Sequence, residues 1–421
     1  MANTKHLIIG SGAAALSALG QIRKFKPDDE IKLLTMEDCL PYSPASLPYL
    51  LAGKIKKRIP WLRDKKYFKR MKTTFATGKE VVQVQPEAKQ VIYRDGGVEH
   101  YDNLLIASGA EPIKPPIKGL DKVGVHTLRT LADCRALQEA LRDVKKVAIL
   151  GAGLVGIKIA AALLEKRYQV DIIESENAVL PLYFDEEAGT YIHEIFVGHQ
   201  ANIFTGKTVA GVSRQKNGKI YIEFDGSGST TADVLINAVG VRSRIPALDA
   251  TKIKVNRGIL VDAEMKTGVE GVYAAGDVAE AACFFTGKAV VNAIISSAIA
   301  QGSVAGANMS GQSVSYEGGI AMTAVDIFDN SAFSIGLINA PGKSVKIVKE
   351  KDDAKRKFKR LIFDGDRLVG AMFINETMDP GIIRHLIKKR VDMATYKQAL
   401  IDRVRPLTDP WLASLRFSGE K

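Results

Sequence analysis

The chain has 421 residues, 46% hydrophobic and 25% charged, with a mean hydropathy of −0.00. These values belong to a folded chain of two to three domains and exclude gross disorder. The formal net charge is +12, from 59 basic and 47 acidic residues, and no apolar run reaches the roughly 18 residues of a membrane span.

Residues 5–10 (Lys-His-Leu-Ile-Ile-Gly) predict a buried strand ending in glycine, with no basic-then-apolar leader before it, so a cytoplasmic location is expected. A helix to about Phe25, a turn at Pro27-Asp28-Asp29 and a second strand over 31–36 complete one βαβ unit. Hairpin strands are expected over 77–93 and 98–106, then a Pro-rich crossover at 111–116 and a boundary near 118. The βαβ unit recurs: strand 146–150, turn 151–156, helix 157–166, strand 169–173. Residues 240–246 read as the return crossover, 273–277 as a strand end and 289–309 as a small-residue helix. The tail, 319–421, changes to short strands (333–338, 345–348, 358–363, 368–373) and a helix over 381–390, a separate α+β module.

Cys39, Cys134 and Cys283 are far apart with no C-x-x-C, and the six histidines form no H-x-x-x-H pair. That argues against a disulfide scaffold, a zinc site or an iron–sulfur cluster held by this chain. The basic excess gathers at 54–58, 63–72, 355–360 and 388–390. These runs are either solvated faces or an attachment surface for an acidic partner. No nucleic-acid motif accompanies them, and neither nucleic acid nor membrane is an expected partner.

Gly10-Ser11-Gly12-Ala13-Ala14-Ala15 is a G-x-G-x-x-A turn between a strand and a helix. Gly10 permits the tight turn, Gly12 lets a pyrophosphate approach the backbone, and the small Ala15 lets helix and strand pack closely. Glu37, just past the second strand, suits a ribose hydroxyl acceptor. Gly151-Ala152-Gly153-Leu154-Val155-Gly156 is the complete G-x-G-x-x-G, and Glu174 ends the next strand. A carboxylate there accepts from both ribose hydroxyls and repels a 2′-phosphate, which favours NAD over NADP. Gly276-Asp277 closes a third strand; the aspartate suits a ligand hydroxyl, although Gly-Asp is also a common turn.

Together these segments resemble the flavoprotein family with two dinucleotide domains that includes glutathione reductase, rubredoxin reductase and coenzyme A-disulfide reductase. The resembling stretches are 7–15, 101–112, 147–174, 237–242 and 271–277. The resemblance implies an α/β fold with two Rossmann-like dinucleotide-binding domains plus a C-terminal α+β interface domain. The FAD-binding domain would be 1–118 with 242–318, the NAD-binding domain 119–241 and the interface domain 319–421. It implies FAD contacts from Gly10, Gly12, Ala15, Glu37, Val81, Gly109, Gly276 and Asp277, and NAD contacts from Gly151, Gly153, Gly156, Glu174 and Gly240.

Two departures follow. Coenzyme A-disulfide reductases carry a redox cysteine before a Gly-Leu-Pro-Tyr run; here the run is Ala45-Ser46-Leu47-Pro48-Tyr49, and Cys39 is six residues too early. Without that thiolate the disulfide-reductase route is lost. Lys158 stands where the family often has a glutamate; it is either a surface lysine or a catalytic residue tuning the flavin–nicotinamide contact. The stretch 39–53 resembles the NAD-reducing flavoprotein subunits of 2-oxoacid dehydrogenase complexes of the phenylglyoxylate type. The expected function is therefore electron transfer between an iron–sulfur partner or subunit and NAD through FAD. A stand-alone reductase and a non-enzymatic flavin-binding assembly subunit are the alternatives.

Overall fold

Leu7, Ile8 and Ile9 are all buried, which suits a central parallel strand covered on both faces. In the computed structural model the strand Thr4–Ile9 runs parallel to Ile31–Leu34 on one side and Val98–Ile106 on the other. Thr73–Ala76 extends the sheet beyond Ile31–Leu34, and Val272–Ala274 pairs with Val98–Ile106, both in parallel. The amino half of Val98–Ile106 turns instead into an antiparallel meander with Gln90–Tyr93 and Val81–Gln85. The structure describes residues 4–55, 59–248, 252–340, 342, 344–376, 379–395 and 397–402.

The chain forms two compact units. The first holds residues 1–150, 210–223 and 229–320; the second holds 151–209, 224–228 and 321–421. These units are a division by compactness, whereas the three domains expected from sequence are a division by fold.

In the first unit the helix Ala13–Phe25 buries Ala14, Ala15, Ala18, Leu19 and Ile22, the spacing of one helical face. Arg23 caps its far end by donating to the carbonyls of Lys26, Pro27, Met71 and Lys72. The helix Ile295–Met309 packs against it through glycines. A Cβ on Gly302 would lie 2.1 Å from the Ala14 carbonyl oxygen, and one on Gly306 would lie 2.4 Å from that of Ala18. This helix starts six residues later than the sequence pattern predicts, because Ala289–Val290 is a short strand and Ile294 is still extended. The strand Val234–Asn237 also lies in this unit, parallel to both Lys146–Leu150 and Val125–His126.

In the second unit the helix Leu154–Glu165 begins immediately after Gly153 and buries Ile157, Ile159, Ala160 and Leu163. Gln169–Ile173 pairs in parallel with Asn202–Phe204. The tail is a five-stranded antiparallel sheet in the order Met322–Ile327, Asn330–Gly336, Arg367–Ile374, Lys357–Asp364, Val345–Asp352. The helix Pro380–Lys388, N-capped by Asp379, buries Ile383, Leu386 and Ile387. Among the described residues no helix is long and apolar enough to cross a membrane.

Candidate functional site

The strand Thr4–Ile9 delivers its carboxyl end to Gly10, whose φ is +107°. A Cβ there would sit 2.1 Å from the Ala107 carbonyl oxygen, so only glycine makes this turn. Gly12 precedes the helix Ala13–Phe25, provides no side-chain cap and has nothing within 4 Å of where a Cβ would be. The first N–H groups of the helix therefore face open space, a ready site for an anionic group. Ala15 is fully buried beneath the turn.

Gly276 closes in from the end of Val272–Ala274. A Cβ on it would approach Ala14 Cβ to 3.2 Å, and its N–H donates to Gln301 Oε1 at 2.8 Å. The next residue, Asp277, accepts from Arg129 Nη2 at 3.2 Å, and its carbonyl accepts from Ser243 Oγ at 2.7 Å. Arg129 also donates from Nε to the Ala110 carbonyl at 3.0 Å, beside Gly109. Gly10, Gly12, Ala15, Gly109, Gly276 and Asp277 thus gather at the carboxyl ends of parallel strands, where open α/β sheets bind their ligands. Arg129 is a site residue that the sequence reading missed. Its only signal is its place before the capping box of Thr130 and Asp133, which starts the helix Leu131–Ala140.

Glu37 follows Ile31–Leu34. Its Oε2 accepts from the Tyr42 hydroxyl at 2.7 Å and, more distantly, from Leu131 N at 3.4 Å. Gly78 N donates to the Glu37 carbonyl at 3.4 Å, which ties the approach to Val81 to this corner. Val81 itself is half-buried and pairs with Tyr93. A cavity of about 680 Å³ lined by Lys5, Lys89, Asp102, Lys266 and Tyr273 lies elsewhere, at the amino ends of the same strands.

Gly151 repeats the first turn, with φ +97° and its N–H on the Ile173 carbonyl at 2.7 Å. Gly153 again leaves open space at a helix N-terminus, and Gly156 is buried in its first turn. Glu174 is 8% exposed. Its Oε2 accepts from Ala152 N at 2.7 Å, and its Oε1 from Glu176 N at 3.0 Å and Ser175 Oγ at 3.2 Å. The carboxylate is thereby locked against the glycine turn. Gly240, in the first unit, accepts from Ile113 N at 3.0 Å.

Lys158, half-buried in the helix Leu154–Glu165, donates from Nζ to the Asp326 carbonyl at 2.6 Å. That bond ties the helix to the C-terminal sheet within the second unit. Arg360–Asp185, Lys349–Glu187 and Tyr191–Asp353 do the same for the helix Glu186–Gly198.

The basic runs have different fates. Lys359, expected on an attachment surface, is 1% exposed, with Nζ 2.6 Å from both Glu350 Oε2 and the Ile401 carbonyl. Lys357 pairs with Glu376 at 3.1 Å. Lys357, Lys359 and Arg360 of this run are spent on ion pairs within the second unit, because the strand Lys357–Asp364 lies between Arg367–Ile374 and Val345–Asp352 with residues of both faces buried, whereas Lys355 and Arg356 before it are exposed. By contrast the helix Lys65–Arg70 exposes Lys65, Lys66, Lys69 and Arg70, with Arg63 before it and Lys72 after it. Lys388–Arg390 is exposed, and 56–58 of the 54–58 run lie outside the described residues.

The segment that would carry a redox cysteine holds Ala45 in a short turn, Pro44–Ser46, followed by the helix Leu47–Leu51. Cys39 is half-buried, and burial, reinforced by the charge of Glu37, pushes its thiol up to about 11. At neutral pH it is a thiol, a poor nucleophile. Cys134 is fully buried against the Leu47 carbonyl. A Cys39→Ser, Cys134→Ala, Cys283→Ser variant is expected to keep NADH-dependent dye reduction within about threefold of the parent, since surface and well-tolerated changes move stability by only about 0.5–1.5 kcal/mol. Loss of turnover with flavin still bound would show that a thiol takes part.

Residues 4–305 match the family described as pyridine nucleotide-disulphide oxidoreductase. The chain belongs to this family. Residues 322–391 match the rubredoxin NAD+ reductase C-terminal domain, which accounts for the antiparallel tail. The oxidoreductase is 34% identical over 404 residues to the NADH-dependent phenylglyoxylate dehydrogenase subunit epsilon of Aromatoleum evansii, covering 95% of each chain. It is 32% identical over 315 residues to an NADH oxidase of Methanocaldococcus jannaschii, covering 72% of this chain and 70% of that one. In fold it is similar to putidaredoxin reductase in its covalent complex with putidaredoxin, with a TM-score of 0.86 at 21% identity, covering 99% of this chain and 100% of that one. As a member of its family this oxidoreductase uses FAD and NAD(H).

Proposed function

We propose that this chain is the FAD-dependent NAD(H) oxidoreductase subunit of a 2-oxoacid dehydrogenase complex of the phenylglyoxylate type, moving electrons between an iron–sulfur partner and NAD. The observation that carries this reading is the 34% identity over 95% of both chains to a subunit of such a complex. The absence of a cysteine at Ala45 agrees with it. The three cysteines are far apart with no C-x-x-C, so clusters are assigned to the partner.

The cradle before the helix Ala13–Phe25 fits a dinucleotide. The Gly12 position is open, the helix N–H groups are uncapped, Gly10 allows an approach that a Cβ would block, and Gly276, at φ +84°, brings its backbone close to Ala14. In this reading those residues with Ala15 hold the pyrophosphate of FAD. Glu37 takes its ribose, Val81 lies by its adenine, and Gly109, Asp277 and Arg129 line its inner half. Gly151, Gly153 and Gly156 hold NAD, with Glu174 on its ribose. FAD, when bound, supplies a carrier that takes electrons as a hydride and can release them singly. The chain's own work is to bind and orient both nucleotides. For Lys158 the bond to Asp326 favours a tether over a catalytic role. The exposed helix Lys65–Arg70 is the docking surface for an acidic iron–sulfur partner.

Purification from the native source tests the complex: cluster-bearing chains should accompany this one. Isolation alone, with full turnover on a small acceptor, would favour the stand-alone reductase. Glu174 yields a separate prediction. Its locked carboxylate opposes a 2′-phosphate, so NADH should exceed NADPH in kcat/KM by roughly tenfold or more. Glu174→Ser should narrow that ratio, and equal values in the parent would refute the assignment.

A further inference from the structure

We infer that Tyr42 is the positioning residue for Glu37, the proposed ribose acceptor, and through it sets the affinity for FAD. The inference rests on the FAD reading above. Three elements converge on this hydroxyl. Glu37 comes from the end of the strand Ile31–Leu34, Tyr42 from the segment where cysteine-bearing members of the resembling family place their redox loop, and Leu131 from the first turn of the helix Leu131–Ala140.

Tyr42 is 7% exposed. Leu131 N donates to its hydroxyl oxygen at 2.9 Å, and the hydroxyl lies 2.7 Å from Glu37 Oε2. A backbone N–H can only donate, so the hydroxyl oxygen is the acceptor of that bond and its own proton goes to Glu37. The direction of the relay is thereby fixed. It satisfies one of the free N–H groups of a helix start and holds one carboxylate oxygen. Glu37 Oε1 has no hydrogen-bond partner among the described residues and stays available for a hydroxyl pair.

The ring is held as firmly as the hydroxyl. Trp61 meets it edge-on at 6.4 Å, and Leu62 N donates to the Pro41 carbonyl at 2.7 Å. Burial and the neighbouring Glu37 raise the phenol well above its ordinary value, so the proton is retained through the whole physiological range. Two further segments thus fix a carboxylate that would otherwise be a mobile side chain. A preorganised acceptor binds more tightly because less freedom is lost on binding.

The test uses full-length apoprotein: wild type, Tyr42→Phe, Glu37→Gln and the double variant. Each is titrated with FAD, with ADP, which keeps the adenosine ribose, and with FMN, which lacks it. Tyr42→Phe should raise Kd for FAD and ADP roughly tenfold, the loss of one hydrogen bond to a charged group. It should leave the Kd for FMN unchanged, and the double variant should bind no more weakly than Glu37→Gln alone. FAD affinity within twofold of wild type, equal weakening for FMN, or full additivity of the two substitutions would each overturn the inference. Should the phenylalanine variant not fold, difluorotyrosine at position 42 reads the same contact. Its more acidic phenol must shift FAD affinity, and no shift overturns the inference. A folded wild-type apoprotein that takes up no FAD would overturn the cofactor reading and this inference with it.

Discussion

Gly10→Ala is expected to abolish FAD retention and to lower stability by roughly 2–5 kcal/mol, the sum of a strained backbone and an overpacked core. The added carbon would lie 2.1 Å from the Ala107 carbonyl oxygen and 2.8 Å from its carbon. Backbone is the obstacle, so no side chain can swing away. Relief requires the strand end at Ile106 and the turn at Gly10 to separate. Their hydrogen bonds, Gly10 N to the Leu34 carbonyl at 2.8 Å and Ala107 N to the Ile9 carbonyl at 2.8 Å, oppose that. The same separation would misalign the helix N-terminus that faces the open cradle. Thermal melting with and without added FAD checks both parts. Gly12→Ala is the control, since its Cβ would meet nothing within 4 Å: the fold should survive while FAD binding weakens.

Charge reversal should separate the two basic runs. Lys359→Glu is expected to destabilise the protein by roughly 3–5 kcal/mol, because it puts an unpaired carboxylate at a buried position, beside the Ile401 carbonyl and the half-exposed Glu350. Lys65→Glu with Lys66→Glu and Lys69→Glu should change stability by less than about 0.5 kcal/mol per site, as exposed substitutions do. That triple variant should nevertheless slow electron transfer to the partner at least tenfold, with a weaker dependence on salt. Unchanged transfer would remove the helix Lys65–Arg70 from the docking surface. Denaturant melts and stopped-flow transfer rates at two ionic strengths make the comparison.

Much of the fold was legible because the pattern and the packing agree. The helix Ala13–Phe25 and the strands Lys146–Leu150 and Gln169–Ile173 have the bounds their apolar runs predict. The strand Met322–Ile327 was missed although it alternates, with Thr323, Val325 and Ile327 buried; a small residue and an aspartate diluted the signal. The helix expected from 289 begins at Ile295, because Asn292 bonds Ser297 Oγ at 3.0 Å and holds the chain extended before the helix. Per-residue propensity does not register that side-chain contact. Lys359 read as surface charge because a buried lysine differs from a solvated one only through its partners, which lie far along the chain or in another strand. Arg129 and Tyr42 stayed hidden for the same reason. Each acts on a residue of another segment, 148 positions away for Asp277 and five for Glu37. No short motif marks either of them.

The most direct measurement of the central claim is anaerobic addition of NADH to the purified full-length protein, followed by its oxidised or cluster-bearing partner complex. The account predicts that the visible absorption of bound FAD bleaches on NADH addition and returns as the partner's clusters are reduced. A protein that carries no flavin after reconstitution, or whose flavin keeps its absorption under excess NADH, would contradict it.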